Sequence, residues 1–245
     1  MPTDNSGLYD IVITNMPYSQ RTRYDRLYDL PSARGDSICV QHCMRAINST
    51  AENGRMALVV PEGFLFRKDL TKTREYLLKC CQLQSVISLP QGVFLPYTGV
   101  KTDIIYATKV NQKIRNSEKK KSFWYFDVKS DEYTLDNHRR KLDTPSDLSK
   151  YEEYRKLDEE QINDMQKVGF EIIPFDKVCE DSFILVGSRY KNEVLENNNK
   201  SAFNYLPLKD VCEIIAGQSP KGEYYNKNGD GLPFYQGNAN FGNIY

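Results

Sequence analysis

The sequence carries no net charge: Lys plus Arg number 33, and Asp plus Glu number 33. No global field advertises a nucleic-acid partner, so contact with DNA would need a local basic patch. Also missing is any run of about 18 apolar residues, which removes a membrane span from consideration. The start, Met-Pro-Thr-Asp-Asn, has neither the charged lead nor the apolar stretch of a signal peptide. The expected location is therefore cytoplasmic. Paired Cys-x-x-Cys spacing is absent as well. Six cysteines stand at 39, 43, 80, 81, 179 and 212. Cys39, His42 and Cys43 fall within one helical turn, but no second ligand cluster accompanies them. The expectation is small half-buried thiols on a core helix, a reducing compartment and no metal.

What is present is an ordinary globular composition, 40% hydrophobic over 245 residues, enough for one full domain or two partial ones. Residues 8 to 14 read as a buried strand that ends in Asn15-Met16-Pro17-Tyr18. This delivers an amide for a flat polar edge, a stiffening proline and a ring that can stack. A flipped nucleobase offers both the edge and the face. In open α/β sheets ligands bind at the carboxyl ends of strands. A plain proline turn with Tyr18 packed on the domain is the simpler alternative.

The loop from Ser19 to Gly35 is long and rich in arginine and tyrosine, with Arg21, Arg23, Arg26 and Arg34 as one candidate basic patch. A second is Lys109 to Lys121, six basic residues against the single acid Glu118; solvated loops are the alternative for both. Asp36 is expected to cap a helix running to about Asn48, and Glu52-Asn53-Gly54 to stop it. Strands are expected at Arg55–Pro61, Leu83–Leu89 and Thr102–Lys109, with a helix from Thr71 to Cys81. The βαβαβ rhythm from 8 to 90 predicts a mostly parallel sheet between helices.

Asn-x-Pro-aromatic after a strand resembles motif IV of the amino DNA methyltransferases. Further matches follow in order: Gly35-Asp36 leading into Val40-Gln41-His42, Asn53-Gly54-Arg55, Pro61-Glu62-Gly63-Phe64-Leu65-Phe66-Arg67, Leu89-Pro90 with Phe94, and Thr98-Gly99-Val100-Lys101-Thr102. Together they resemble the modification subunits of type I restriction enzymes and their fused relatives, which are adenine-N6 DNA methyltransferases using S-adenosylmethionine. The resemblance implies roles. Asn15 would accept a hydrogen bond from the adenine amino group, the Met16 carbonyl a second, and Tyr18 would stack on the extruded base. Pro17 would stiffen the turn, Phe94 would flank the base or pack in the core, and Arg21 and Arg23 would touch double-stranded DNA. Met16 departs from the usual proline, which leaves the backbone less restrained.

On the same resemblance the cofactor pocket lies at three earlier strands, beneath a Gly-rich turn. No Gly-x-Gly turn follows a strand before residue 15. The expected fold is thus the carboxyl-terminal half, strands 4-5-7-6, of a Rossmann-like S-adenosylmethionine-dependent methyltransferase sheet, with an uncovered edge at residues 8 to 14. The cofactor-binding residues would lie in a missing amino-terminal half, and the chain would be a fragment inactive alone. Catalytic sequence is expected over 1–128 and a helical or irregular extension and linker over 129–202. Within these, Ser122–Asp127 is β-prone, while Phe170–Pro174, Val178 and Phe183–Tyr190 resemble the closing segment of the modification subunit. Leu148 to Val168 reads as a charged, solvated helix that packs on a neighbouring subunit or domain. Residues 203–245, with Gly217-Gln218-Ser219-Pro220 and Leu232-Pro233-Phe234-Tyr235-Gln236-Gly237-Asn238, resemble the start of a β-rich target-recognition domain of a specificity subunit. Partners implied are a flipped adenine in double-stranded DNA and specificity and restriction subunits or fused equivalents. The alternative is a non-catalytic DNA-binding or assembly fragment.

Overall fold

The computed structural model describes residues 7–18, 20–24, 26–48, 54–109, 121–154, 157 and 169–190, and scattered residues between 206 and 231. The chain divides into two compact units, Met1–Asn192 and Glu193–Tyr245. In the second, the described residues include a one-turn helix at Leu208–Val211 and a 3₁₀ turn at Gly222–Tyr224. The last part of the expected linker, both target-recognition strings and the basic run from 110 to 120 lie outside the described residues.

The first unit is built on one six-stranded sheet. Its strands are β1 (Ile11–Asn15), β2 (Arg55–Pro61), β3 (Cys81–Ser88), β4 (Thr102–Lys109), β5 (Ser122–Asp127) and β6 (Phe170–Pro174), in the order β1-β2-β4-β3-β5-β6. The helices are α1 (Gly35–Ala46), α2 (Gly63–Phe66), α3 (Thr71–Cys80), α4 (Leu148–Tyr154) and α5 (Phe175–Glu180). The expectation of a mostly parallel sheet is not met. β1 pairs with β2 and β3 with β5 in parallel, but β4 runs antiparallel to both of its neighbours and β6 antiparallel to β5. The reason is the stretch from Leu89 to Lys101. It forms turns rather than a crossover helix, so the chain comes straight back beside β3.

One face of the sheet carries the main core. Met56, Leu58 and Val60 of β2, Ile105 and Ala107 of β4, Leu83 and Val86 of β3 and Phe123 and Tyr125 of β5 pack there. Val40, Met44 and Ile47 of the α1 region, Phe64 and Leu65 of α2, Leu77 of α3 and Val178 of α5 complete it. The other face has a smaller aromatic cluster of Phe126, Phe170, Tyr151 and Tyr154, with rings 4.5–6.3 Å apart. Tyr151 and Tyr154 belong to α4, and Tyr151 also shares a 2.7 Å hydrogen bond with Ser85. The described part of the charged helix therefore packs on the sheet of the 1–128 region; the remainder to Val168 lies largely outside the described residues.

Two local expectations change. Asp36 is not the cap of α1: Arg34 takes that position, and Asp36 is buried within the first turn, where an acid suits the positive end of the helix dipole. Nor is β1 a buried strand. Ile11 is 50% and Ile13 77% exposed, because β1 is paired on one side only and its second face is uncovered among the described residues. Gly54 occupies a place only glycine fits: a β-carbon there would stand 2.3 Å from the Asn48 carbonyl oxygen.

Arg74 ties the unit together. Its buried guanidinium donates to the carbonyls of Phe183 at 2.6 Å, Phe64 and Arg67 at 2.9 Å, and Ser182 at 3.4 Å, and to the Thr71 hydroxyl at 3.2 Å. It thereby clamps α2 and α3 to a turn in which Ser182 and Phe183 both hold positive φ, 56° and 57°. Burial lowers the Arg74 pKa to about 10, still well above neutrality. Beyond that turn, Asp181 accepts hydrogen bonds from Arg189 and Tyr190. Gly187 lies so close to the Tyr125 ring that a β-carbon would sit 2.1 Å from it.

Candidate functional site

The register aligns one edge of the sheet. Asn15 stands opposite Val59, Val59 opposite Ile104, Ile104 opposite Ile87 and Ile87 opposite Phe126. The carboxyl ends of β1, β2, β3 and β5 and the start of β4 therefore share that edge. It gathers Asn15 to Tyr18, Glu62, the 89–101 loop, Lys101, Asp103 and Asp127.

At β1 the geometry is local and specific. Asn15 is exposed, Met16 is buried at 3% and Tyr18 is half-buried against the main core. The Tyr18 hydroxyl donates to Asn15 Oδ1 at 2.7 Å. That oxygen keeps a second lone pair for another donor. Burial raises the Tyr18 pKa, so the phenol stays protonated and able to donate. The Met16 side chain enters the core, which fixes the backbone at a position where proline would otherwise do so. Pro17 is exposed on the turn.

The remaining residues singled out from sequence are placed as follows. Phe94 is half-buried and packs on the second, aromatic cluster, in the loop after β3. Arg21 and Arg23 are exposed on the loop after β1, and neither forms an ion pair with a described residue. Arg34 is engaged: Asp69 accepts from it at 3.0 Å and from Arg67 at 2.7 Å. The loop itself is ordered by side chains of α1 and α3. Gln41 bonds both the N–H and the carbonyl of Leu30, Tyr28 pairs with His42 at 2.9 Å, and Tyr76 donates to Asp29.

A second polar group lies further along the same edge. Lys101 donates to Glu62 at 2.8 Å, and the Glu62 N–H donates to the Lys101 carbonyl at 2.9 Å. Burial works against the Lys101 charge, but Glu62 outweighs it and the pKa ends raised. Directly behind, Asp103 is fully buried with neither carboxyl oxygen in a hydrogen bond, facing the equally unbonded Ser88 hydroxyl across the ladder. Burial pushes the Asp103 carboxyl up to about 7, with the charge of Lys101 working against it. Sequence reasoning assigned no role to Asp103, Tyr97 or Arg74. Only the cross-strand register and the turn after α5 bring them into view.

Among the described residues, no group of three or more His, Cys, Asp or Glu side chains is placed to hold a metal ion. No described helix is long and apolar enough to cross a membrane. Among the described residues, the strand ends carry no glycine-rich turn of the kind that cradles a methyl donor of the S-adenosylmethionine type. β1 runs into Met16-Pro17, β2 into Glu62-Gly63, β3 into Leu89-Pro90 and β5 into Val128-Lys129, with no Gly-x-Gly turn to let backbone approach a bound molecule.

A family model described as N-6 DNA Methylase matches residues 2–200. The EcoEI type I restriction enzyme methylase subunit of Escherichia coli is 30% identical over 120 residues, 48% of this chain and 23% of that protein. A protein described as the MjaX type I restriction enzyme specificity subunit, from Methanocaldococcus jannaschii, is 49% identical over 53 residues, 22% of this chain and 10% of that protein. The chain thus matches less than a quarter of the length of either. The crystal structure of the type I restriction-modification methyltransferase subunit from Streptococcus thermophilus shares the fold, with a TM-score of 0.57 at 22% identity over 77% of this chain and 39% of that one. The matched family, carried by four-fifths of the sequence and by the sheet that holds Asn15 to Tyr18, is the one to which this chain belongs: the N-6 DNA methylases.

Proposed function

We propose that this chain supplies the adenine-binding side of a site-specific DNA methyltransferase that transfers methyl from S-adenosylmethionine to adenine N6. The observation that carries the reading is the paired Asn15 and Tyr18 at the carboxyl end of β1, in a chain of the N-6 DNA methylase family. In this reading the adenine amino group donates to Asn15 Oδ1 and to the Met16 carbonyl, while the Tyr18 ring moves onto the base face. Two acceptors pull the nitrogen toward tetrahedral geometry and aim its lone pair, so positioning does the work and no low-pKa base is required. Arg21 and Arg23 lie where phosphates of the duplex would pass.

The order β1-β2-β4-β3 supports assigning these strands as 4-5-7-6 of the methyltransferase sheet. The methyl donor would be held by a further segment that pairs with the free edge of β1 and covers Ile11 and Ile13. Likeness to a specificity subunit supports a target-recognition segment in the chain; in this reading it begins in 203–245, with 1–128 catalytic and 129–202 an extension. Specificity and restriction subunits, or fused equivalents, are the partners. Calorimetric titration of the purified chain with S-adenosylmethionine tests the split site. No binding near micromolar concentration is expected, and micromolar binding to the chain alone contradicts it. The second reading is a non-catalytic DNA-binding or assembly fragment, favoured by strand ends that carry no Gly-x-Gly turn among the described residues. Methyl transfer that is restored by the complementary segment and lost on Asn15→Ala rules that out.

A further inference from the structure

The loop between β3 and β4 holds an aromatic ring that the fold does not use. Tyr97 is 92% exposed, the most exposed large hydrophobic side chain among the described residues. Its backbone is tightly turned. The N–H groups of Val93 and Leu95 donate to Pro90 and Gly92, and those of Tyr97 and Thr98 both donate to the Phe94 carbonyl, at 2.9 and 3.0 Å. Val93 and Phe94 root the loop in the aromatic cluster. A single exposed aromatic is ordinary by itself. Here it crowns a well-anchored platform, with Val100, 47% exposed, three residues on.

Position and charge point to the occupant. The loop springs from the same sheet edge as Asn15. Two strands, β2 and β4, separate β1 from β3, so their ends stand three inter-strand spacings apart, roughly 14 Å. The major groove of a duplex is about 12 Å wide. The two ends therefore stand close enough for one duplex to reach both Asn15 and the 89–101 loop. No carboxylate occurs from Leu89 to Thr102, nor from Met16 to Tyr24 on the neighbouring loop, and of the carboxylates on this edge Glu62 is paired with Lys101 and Asp103 is buried.

We propose that Tyr97 is a positioning residue for base extrusion: its ring enters the base stack at the place vacated by the adenine turned out toward Asn15 and Tyr18. The ring's stacking offsets the contacts the departing base gives up. The proposal rests on the reading of Asn15 and Tyr18 as the base site, and its test is separate from that reading's. The full chain is titrated against two short fluorescent duplexes, identical except that one carries a single abasic site. An aromatic that fills a vacated position should favour the abasic duplex by about tenfold, the scale of one base–aromatic stack. Tyr97→Ala should erase the preference and Tyr97→Trp should keep it, with unchanged melting in both because the ring is solvent-exposed. Asn15→Ala should keep the preference while abolishing methyl transfer by the reconstituted enzyme. Equal affinity of the wild-type chain for the two duplexes overturns the proposal, as does a preference that survives Tyr97→Ala. If Tyr97→Ala instead spares the preference and weakens binding to a specificity subunit, Tyr97 is a protein contact and the proposal falls.

Discussion

The two ends of the sheet are finished differently. At β5 and β6 both faces are filled. Phe126, Phe170, Tyr151 and Tyr154 stack on one side, while Phe123, Tyr125 and Ile173 lie beneath α5 and the 182–190 turn on the other. At β1 only the α1 side is filled, and Ile11 and Ile13 face solvent. The residues proposed to bind the base stand on the unfinished end. Stability is thus concentrated where no chemistry is proposed, and the chemistry sits on a strand with few contacts to restrain it, which fits a site completed by another segment.

The contrast is broken most severely at Arg74. Replacing it by Ala leaves the carbonyls of Phe64, Arg67, Ser182 and Phe183 without their donor. A loss of about 3–5 kcal/mol in denaturant unfolding is expected, and Arg74→Lys should recover only part of it, because an ammonium cannot reproduce the planar fork. A loss below about 1 kcal/mol would show that the turn is held by its own contacts.

Asp103 lies between the two ends and gives the comparison a pH dependence. Its folded-state pKa is raised by burial from 3.8 to about 7, with Glu62, Lys101 and Asp127 as charged neighbours. Between these values the unfolded chain releases this proton and the folded chain keeps it, so the unfolded state binds fewer protons. Stability must fall as pH rises from about 4 to about 7. Thermal melts should show that fall in the wild type and a flatter profile in Asp103→Asn, whose neutral amide has no charge to desolvate. Identical slopes would place Asp103 in a wetter environment than its burial implies.

The smallest effect belongs to the open end. Ile13→Lys changes an exposed side chain and should alter stability by no more than about 0.5 kcal/mol. It should nonetheless weaken association with a complementary methyltransferase segment in a pull-down. A large loss of stability in the isolated chain would mean that this face is already covered.

Much of the fold was legible in the residues. β2, β4 and β5 fall where their apolar or β-branched runs begin and end, because short strands between turn residues leave a local signature. The direction of β4 was not legible, since it depends on how the 89–101 loop turns rather than on the strand's own residues. Nor was the exposure of β1: Ile11-Val12-Ile13 reads as buried whenever its neighbours are assumed. The motif at Asn15 to Tyr18 stood out because it is contiguous. Arg74 looked like any arginine on a helix, and Asp103 like an ordinary strand residue, because their roles depend on groups distant in sequence: the 182–183 turn for one and Ser88 for the other.

The most direct measurement is the amount of N6-methyladenine formed in DNA, by mass spectrometry of digested product, when the chain, its complementary segment and S-adenosylmethionine are combined. The account predicts methyladenine with the wild-type chain and a loss of at least about 100-fold with Asn15→Ala, the scale of removing one transition-state hydrogen-bonding group. Equal product from the two chains would contradict it.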